Sequence, residues 1–487
     1  MFKQFVEKWK GKFNANKDKI IGRYVFVLLA YFIITFLPNI TVSTPLAPFF
    51  NGGITKILFR AVAALAFFAY SAIVIYVGKI TFKNRIVYAV AICTIILTLS
   101  AFINISTLRF EYINMYYELI VMTVHLGIIE TFSFILDAFF GLFFFVVVFV
   151  VVPNIYEDHI TKLRLVFRTF IFIMLGLSLI SFIHDANDYK AIFTLTYSPY
   201  NEEGISSLFA SKNAFGAFLM QAIMVSIFTI SREKNRVLKV VFIASVVLFS
   251  FVMFMTLCKD AILGTLVFAF VCLIKLIKDK NNVKNIIGMI FIGILSAVFI
   301  LFLLILFIEP LRKNIDLFAK IYQFFGANPV TGKENSVEGR FGIVKQFFSN
   351  IASMRVFIGY GQALPSYTYY WTFKTLAGTG NDNLHNSFLY VLGSGGIVYL
   401  GVYLYLIWKC FSNIFKMRVA SKDGLYFSLI GILAGFMVYS FFETSVLFVS
   451  GSSGTMILSF ILAPFIQTKN KVVEAEVATA ELEVIEI

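Results

Sequence analysis

Long apolar runs, each closed by a short polar segment, dominate the chain from about residue 21 onward. An α-helix needs about 20 mostly apolar residues to cross about 30 Å of hydrocarbon. On that criterion twelve spans are expected, near 21–37, 57–77, 86–103, 133–153, 164–183, 213–231, 239–257, 260–277, 286–308, 386–408, 425–442 and 446–466. The runs are continuous and do not alternate every second residue, so helices are expected and a barrel is not. One stretch stands outside the series. The segment "YYELIVMTVHLGIIETF", 116–132, is apolar enough to suggest a thirteenth span but carries Glu118, His125 and Glu130. A crossing there would turn every later loop around, so it is expected as an interfacial or re-entrant helix on the outer side.

Composition supports the same class. Hydrophobic residues make up 59% of the 487 and charged residues 14%, with a mean hydropathy of +0.86. Those values lie outside the range of soluble domains and describe a polytopic membrane protein. The charge then orients it, because Lys and Arg accumulate in cytoplasmic segments. Counted alternately from the basic N-terminus, 27 of the 41 Lys and Arg fall on its side of the membrane and 14 on the other. Both termini are therefore expected in the cytoplasm. The domain plan that follows is a basic head over 1–20, nine spans over 21–308, a large outer loop over 309–385, three spans over 386–466 and a cytoplasmic tail over 467–487.

Several chemistries find no support. The basic head runs into a full span with no small-residue cleavage site, so the first helix is expected to stay as an anchor. The four cysteines, Cys93, Cys258, Cys272 and Cys410, form no Cys-x-x-Cys pair, and neither disulfides nor zinc are expected. There is no Asp-x-Asp pair and no Walker loop, so no metal and no cofactor are expected. No internal repeat is visible and the loops are uneven, which argues against a transporter built from two related halves.

The outer loop holds eight basic and five acidic residues, a net of +3 that suits an anionic ligand presented at the membrane surface. Its middle reads as a helix with Phe341, Val344, Phe347 and Phe348 on one face, after a Ser336-x-Glu338 start. Gly359-Tyr360-Gly361 then breaks the chain before an aromatic stretch.

In the segments "EGRFGIVKQFF", "FIGYGQ" and "LHNSFLYVLGSGGIVYLGVYLYL" the chain resembles the O-antigen ligase and polymerase family. There an Arg begins a loop helix, a Gly-x-Gly follows and a His-Asn pair starts the next span. Upstream, "SLFASKNAFGAFLM" is similar to the family's Phe-x-x-Lys/Arg-Asn-x-x-Gly segment. "TLCKDAILG" sits where members show a Ser-Arg pair, and "FFETSVLF" matches a Glu in the penultimate span. The resemblance covers roughly 190–465. It implies an all-helical, glycosyltransferase-C-like membrane enzyme that takes a glycan from an undecaprenyl diphosphate carrier outside the cytoplasmic membrane of a bacterium. Its partners would be lipid-linked oligosaccharides as donor and acceptor, the bilayer, a chain-length regulator and a flippase, with no nucleic acid. The leading expectation is a polymerase of repeat units for capsule, exopolysaccharide or O-antigen. A ligase that hands the glycan to lipid A core or a cell-wall acceptor is the near alternative, and a flippase the alternative of another class.

Each candidate residue has two readings. An imidazole titrates close to neutral pH, so His385 can take a proton from an attacking sugar hydroxyl, or it can cap and anchor a helix at the headgroups. Arg340 can hold two diphosphate oxygens at once and offset charge on the leaving carrier, or be a solvated surface residue. Lys212, with Asn213 at a helix start, offers a second cation where free N–H groups also favour anions. Lys259 either pairs with Asp260 across a turn or adds a third phosphate contact. Glu443 can orient His385 or Arg340, or simply end a helix near the interface. Asn386 is expected as a cap. Tyr360 and Trp371, with Tyr367, Tyr369 and Tyr370, either stack on sugar rings or form an interfacial belt.

Overall fold

In the computed structural model the described residues are 13, 15–41, 53–80, 87, 88, 90–92, 94, 95, 108–113, 119–124, 136, 139–155, 162–181, 207–209, 211–256, 258–278, 344, 347, 348, 357, 359, 385–416, 425–448 and 453–467. The longer helices are α1 (Lys17–Thr41), α2 (Gly53–Gly78), α3 (Phe139–Ile155), α4 (Arg164–Ile180), α5 (Lys212–Ile230), α6 (Arg236–Thr256), α7 (Lys259–Lys278), α8 (Ser387–Lys416), α9 (Leu425–Ser440) and α10 (Ser453–Leu462). Five of them, α1, α2, α5, α6 and α8, contain stretches long and apolar enough to cross a membrane. The chain is a multi-pass membrane protein. The expected span 286–308 and most of 86–103 lie outside the described residues, as does nearly all of the loop 309–385.

Two expectations are corrected. Residues 108–124 contain an antiparallel hairpin, β1 (Leu108–Ile113) and β2 (Leu119–Val124), with Leu108 opposite Val124 and Ile113 opposite Leu119. The interfacial helix expected over 116–132 is therefore a strand over 119–124. "LIVMTV" is rich in β-formers, and an apolar run this short cannot be told from a helix by periodicity alone. Its partner, "LRFEYI", carries the missed signal, since Arg109 and Glu111 alternate with apolar positions.

The last span also differs from expectation. Helix is absent over 441–448 and resumes at Ser453, although 446–466 reads as one apolar run. Val446, Leu447 and Phe448 are nonetheless buried, and Phe448 sits at φ 66 with its N–H donating to Ser459 Oγ at 3.0 Å. Non-helical backbone is tolerated at membrane depth only where protein covers it. Gln221 of α5 supplies part of that cover by donating its amide N–H to the Gly454 carbonyl at the start of α10.

The centre of the bundle is α5, buried along nearly its whole length from Phe215 to Thr229. A helix that is apolar all round belongs inside a protein. It contacts α4, α6, α7, α9 and α10. Lipid tails are as apolar as leucine, so association rests on close packing and interhelical hydrogen bonds. Both are present. Tyr31 of α1 packs edge-on against Phe143 of α3 at 4.8 Å, and Tyr24 of α1 shares a 2.7 Å hydrogen bond with Ser71 of α2. Helices α7 and α9 cross backbone to backbone, because a Cβ on Gly264 would lie 2.8 Å from the Gly435 carbonyl oxygen. That crossing fixes the start of α7 relative to the turn that follows α9.

At the opposite end of the bundle, Arg168 of α4 grips the buried Glu233 in the α5–α6 turn. Its Nε donates to Oε2 at 3.0 Å and a terminal nitrogen donates to Oε1 at 2.8 Å. Burial alone would raise the Glu233 pKa. The Arg168 hydrogen bonds, the Asn235 N–H and the charges of Arg168 and Arg164 outweigh it and hold the carboxyl below its usual range.

Candidate functional site

Three helix starts meet at one end of the bundle, and local sequence explains each. Ser211, extended at φ −147 and ψ 155, caps α5 by accepting from the Ala214 N–H at 3.2 Å, so Lys212 and Asn213 occupy its first turn. Asn386 caps α8, its Oδ1 accepting from Phe388 N at 2.9 Å and Leu389 N at 3.0 Å. A cap satisfies N–H groups that the helix leaves without partners. Helix α7 begins at Lys259 with Asp260 in its first turn, where a carboxylate complements the helix dipole. The turn before it folds onto α5, with Cys258 Sγ 4.0 Å from the Asn213 carbonyl oxygen.

The turn after α9 joins these starts. Glu443 is 5% exposed, and its Oε1 lies 3.2 Å from His385 Nδ1 while accepting from Asn213 Nδ2 at 3.4 Å. Ser387, fully buried, holds the main chain beneath that carboxylate. Its Oγ lies 2.8 Å from the Glu443 carbonyl and 2.6 Å from the Ser445 carbonyl, and accepts from Ser445 N–H at 2.8 Å. One hydroxyl proton serves one of those carbonyls at a time. Asn386 adds a second tie, donating through Nδ2 to the Phe441 carbonyl at 3.1 Å.

His385 itself sits at φ 46, a left-handed backbone uncommon for a residue with a side chain. Such conformations cost of order 1–3 kcal/mol and persist where surrounding contacts over-determine them. Here the Asn386 cap follows immediately and Glu443 holds the ring. When Nδ1–H donates to the carboxylate, the opposite nitrogen, Nε2, carries the lone pair that can take a proton. The half-buried ring thus has a set orientation against a carboxylate that also meets Asn213.

The structure thus brings together His385, Asn386, Glu443, Asn213 and, at the adjoining helix starts, Lys212 and Lys259. Arg340, Tyr360 and Trp371 lie outside the described residues. Of the apolar face expected in the loop helix, Phe347 is buried against Leu389 and Leu392, with Val344 beside it, whereas Phe348 is 57% exposed and does not share that face. Ser387 and Ser445 are site residues that sequence reasoning passed over. Only the triplet His385-Asn386-Ser387 hinted at them, and a serine's partners 56 and 58 residues away leave no local signal. Among the described residues no group of His, Cys, Asp and Glu is arranged to hold a metal ion.

Residues 244–406, from α6 into α8, match the family model described as O-antigen ligase. That stretch includes Lys259, Arg340, His385 and Asn386, whereas Lys212, Asn213 and Glu443 flank it. Comparison with curated proteins gives no match.

Proposed function

We propose that this chain, which matches the O-antigen ligase family model over residues 244–406, is a membrane glycosyltransferase that polymerises lipid-linked oligosaccharide repeat units. The donor is a growing glycan on undecaprenyl diphosphate, and the acceptor is the non-reducing end of a new lipid-linked unit at the outer face of a bacterial cytoplasmic membrane. The observation that carries this reading is the His385–Glu443 pair set among the starts of α5, α7 and α8.

In this reading His385 Nε2 takes the proton of the acceptor hydroxyl as its oxygen attacks the anomeric carbon. The bond from that carbon to the diphosphate breaks, and undecaprenyl diphosphate leaves. Glu443 holds the imidazole and offsets its new positive charge. Lys212, Lys259 and Arg340 receive the charge that grows on the departing diphosphate, aided by the positive ends of the helix dipoles. Tyr360 and Trp371 stack against sugar rings. A single displacement inverts the configuration at the anomeric carbon.

The description of the matched family as O-antigen ligase favours a second reading, in which the finished glycan passes to a different acceptor such as lipid A core. One experiment separates them. Purified protein in nanodiscs is given an undecaprenyl-diphosphate oligosaccharide alone or with a candidate acceptor. A ladder of lengths supports polymerisation, and a single addition to the second acceptor supports ligation. Movement across the bilayer without transfer would remove both readings.

A further inference from the structure

The long loop 309–385 returns to the bundle at two described places, and both lie on one short stretch of α8. Phe347, 3% exposed, clusters with Leu389 and Leu392, in the turns that follow the Asn386 cap. Gly359 then meets the next turn. It stands at φ 74, a conformation side chains rarely adopt, and a Cβ there would overlap the Gly395 nitrogen and the Ser394 carbonyl. Two backbones touch at this point. Immediately beyond, Gly396 at φ 72 and ψ −171 interrupts the helix. The stretch that receives both contacts is therefore bounded by His385 at one end and by a kink at the other.

We propose that Gly359 is a positioning residue for glycan transfer, its backbone seat on Ser394 and Gly395 fastening this part of the outer loop to the half-helix that follows His385 and its neighbour Asn386. Arg340, to which the proposed reaction gives the diphosphate, belongs to the same loop and precedes Val344 by four residues in the sequence. This inference rests on the proposed transfer reaction. Phe347 and Val344 make side-chain contacts only, and Gly359 adds a second contact made of main chain. The contact involves neither the imidazole nor the Glu443 carboxylate. Its loss is expected to weaken donor binding without altering proton transfer.

The test uses the full chain in nanodiscs, with Gly359→Ala compared against Gly401→Ala. Gly401 lies on the same helix, and a Cβ there meets nothing within 4 Å. Nitroxide-bearing amino acids at 357 and 398, where Phe357 and Val398 are 61% and 65% exposed, report the distance between loop and helix. Wild type and Gly401→Ala should give one narrow distance and equal kinetics. Gly359→Ala should broaden the distance and raise the donor KM by about tenfold or more, with the acid side of the pH profile unmoved. A broad distance in the wild type overturns the proposal. So does an unchanged KM in Gly359→Ala, or an activity loss with the narrow distance retained. If Gly359→Ala fails to accumulate, the wild-type distance decides alone. Absence of glycan transfer by the wild type would remove the reaction itself, while the distance measurement still judges the seat.

Discussion

His385 Nδ1 and Glu443 Oε1 stand 3.2 Å apart although 58 residues separate them in the chain. The pair joins the start of α8 to the turn after α9, and it predicts linked kinetic effects. His385→Ala should leave donor binding nearly intact and lower turnover by about 10²-fold or more, a typical contribution from proton transfer. Glu443→Gln should also lose turnover, and the double variant should be little worse than His385→Ala, because residues that act as a unit are not additive. Steady-state rates of the single and double variants check this, and full additivity of the two losses would rule out the pairing.

Ser387→Ala should destabilise the protein by about 1–2 kcal/mol, the cost of leaving a buried partner unsatisfied. The hydroxyl accepts from Ser445 N–H and reaches two carbonyls of the 443–445 turn, so the loosened turn should lower turnover as well. Melting in nanodiscs beside initial rates provides the check. Normal stability with normal turnover would show that the turn holds without it.

Arg340→Ala should abolish polymer formation, and Arg340→Lys should retain little, because an ammonium cannot replace a two-point contact with a diphosphate. Lys212→Arg should be tolerated. Polymer ladders at matched protein levels decide, and a fully active Arg340→Lys would remove the proposed clamp.

At the far end of the bundle, Arg168→Ala should cost about 3 kcal/mol, because it strands the buried Glu233 carboxylate. The pH dependence has a definite sign. A carboxyl held below its usual value in the fold contributes stability that is complete above the unfolded pKa and is lost as pH falls through the folded one. Wild-type melting should therefore decline from about pH 5 downward, and the variant should show a shallower decline over that range. Parallel slopes for the two proteins would contradict this account.

A cysteine introduced near Asn328 should react with an impermeant maleimide in intact cells, as the Lys and Arg distribution requires. Reaction only after the membrane is opened would reverse the proposed orientation.

The five described helices long and apolar enough to cross a membrane were legible because a bilayer demands that backbone groups be satisfied within one apolar segment, and length and composition then mark the segment. The Asn386 cap was readable for a similar reason: it acts on amides two and three residues away, within the reach of local pattern. His385 was legible as a lone imidazole at a polar boundary. Its geometry was not. The strand β2 needed its partner β1 to distinguish it from a helix, and the non-helical 441–448 segment persists because Ser387 and the surrounding helices cover it. Glu443 carried two readings until the fold set its carboxylate between His385 and Asn213. Gly359 read only as a chain breaker, and its seat on Ser394 and Gly395 exists only when the loop returns to α8. Sequence by itself determined which of the described helices are long and apolar enough to cross a membrane, and it nominated the polar residues at their ends, since both depend on a residue's own polarity and its near neighbours. Tertiary structure alone decided which of those residues meet, because contacts across 56 to 230 residues depend on how the helices pack.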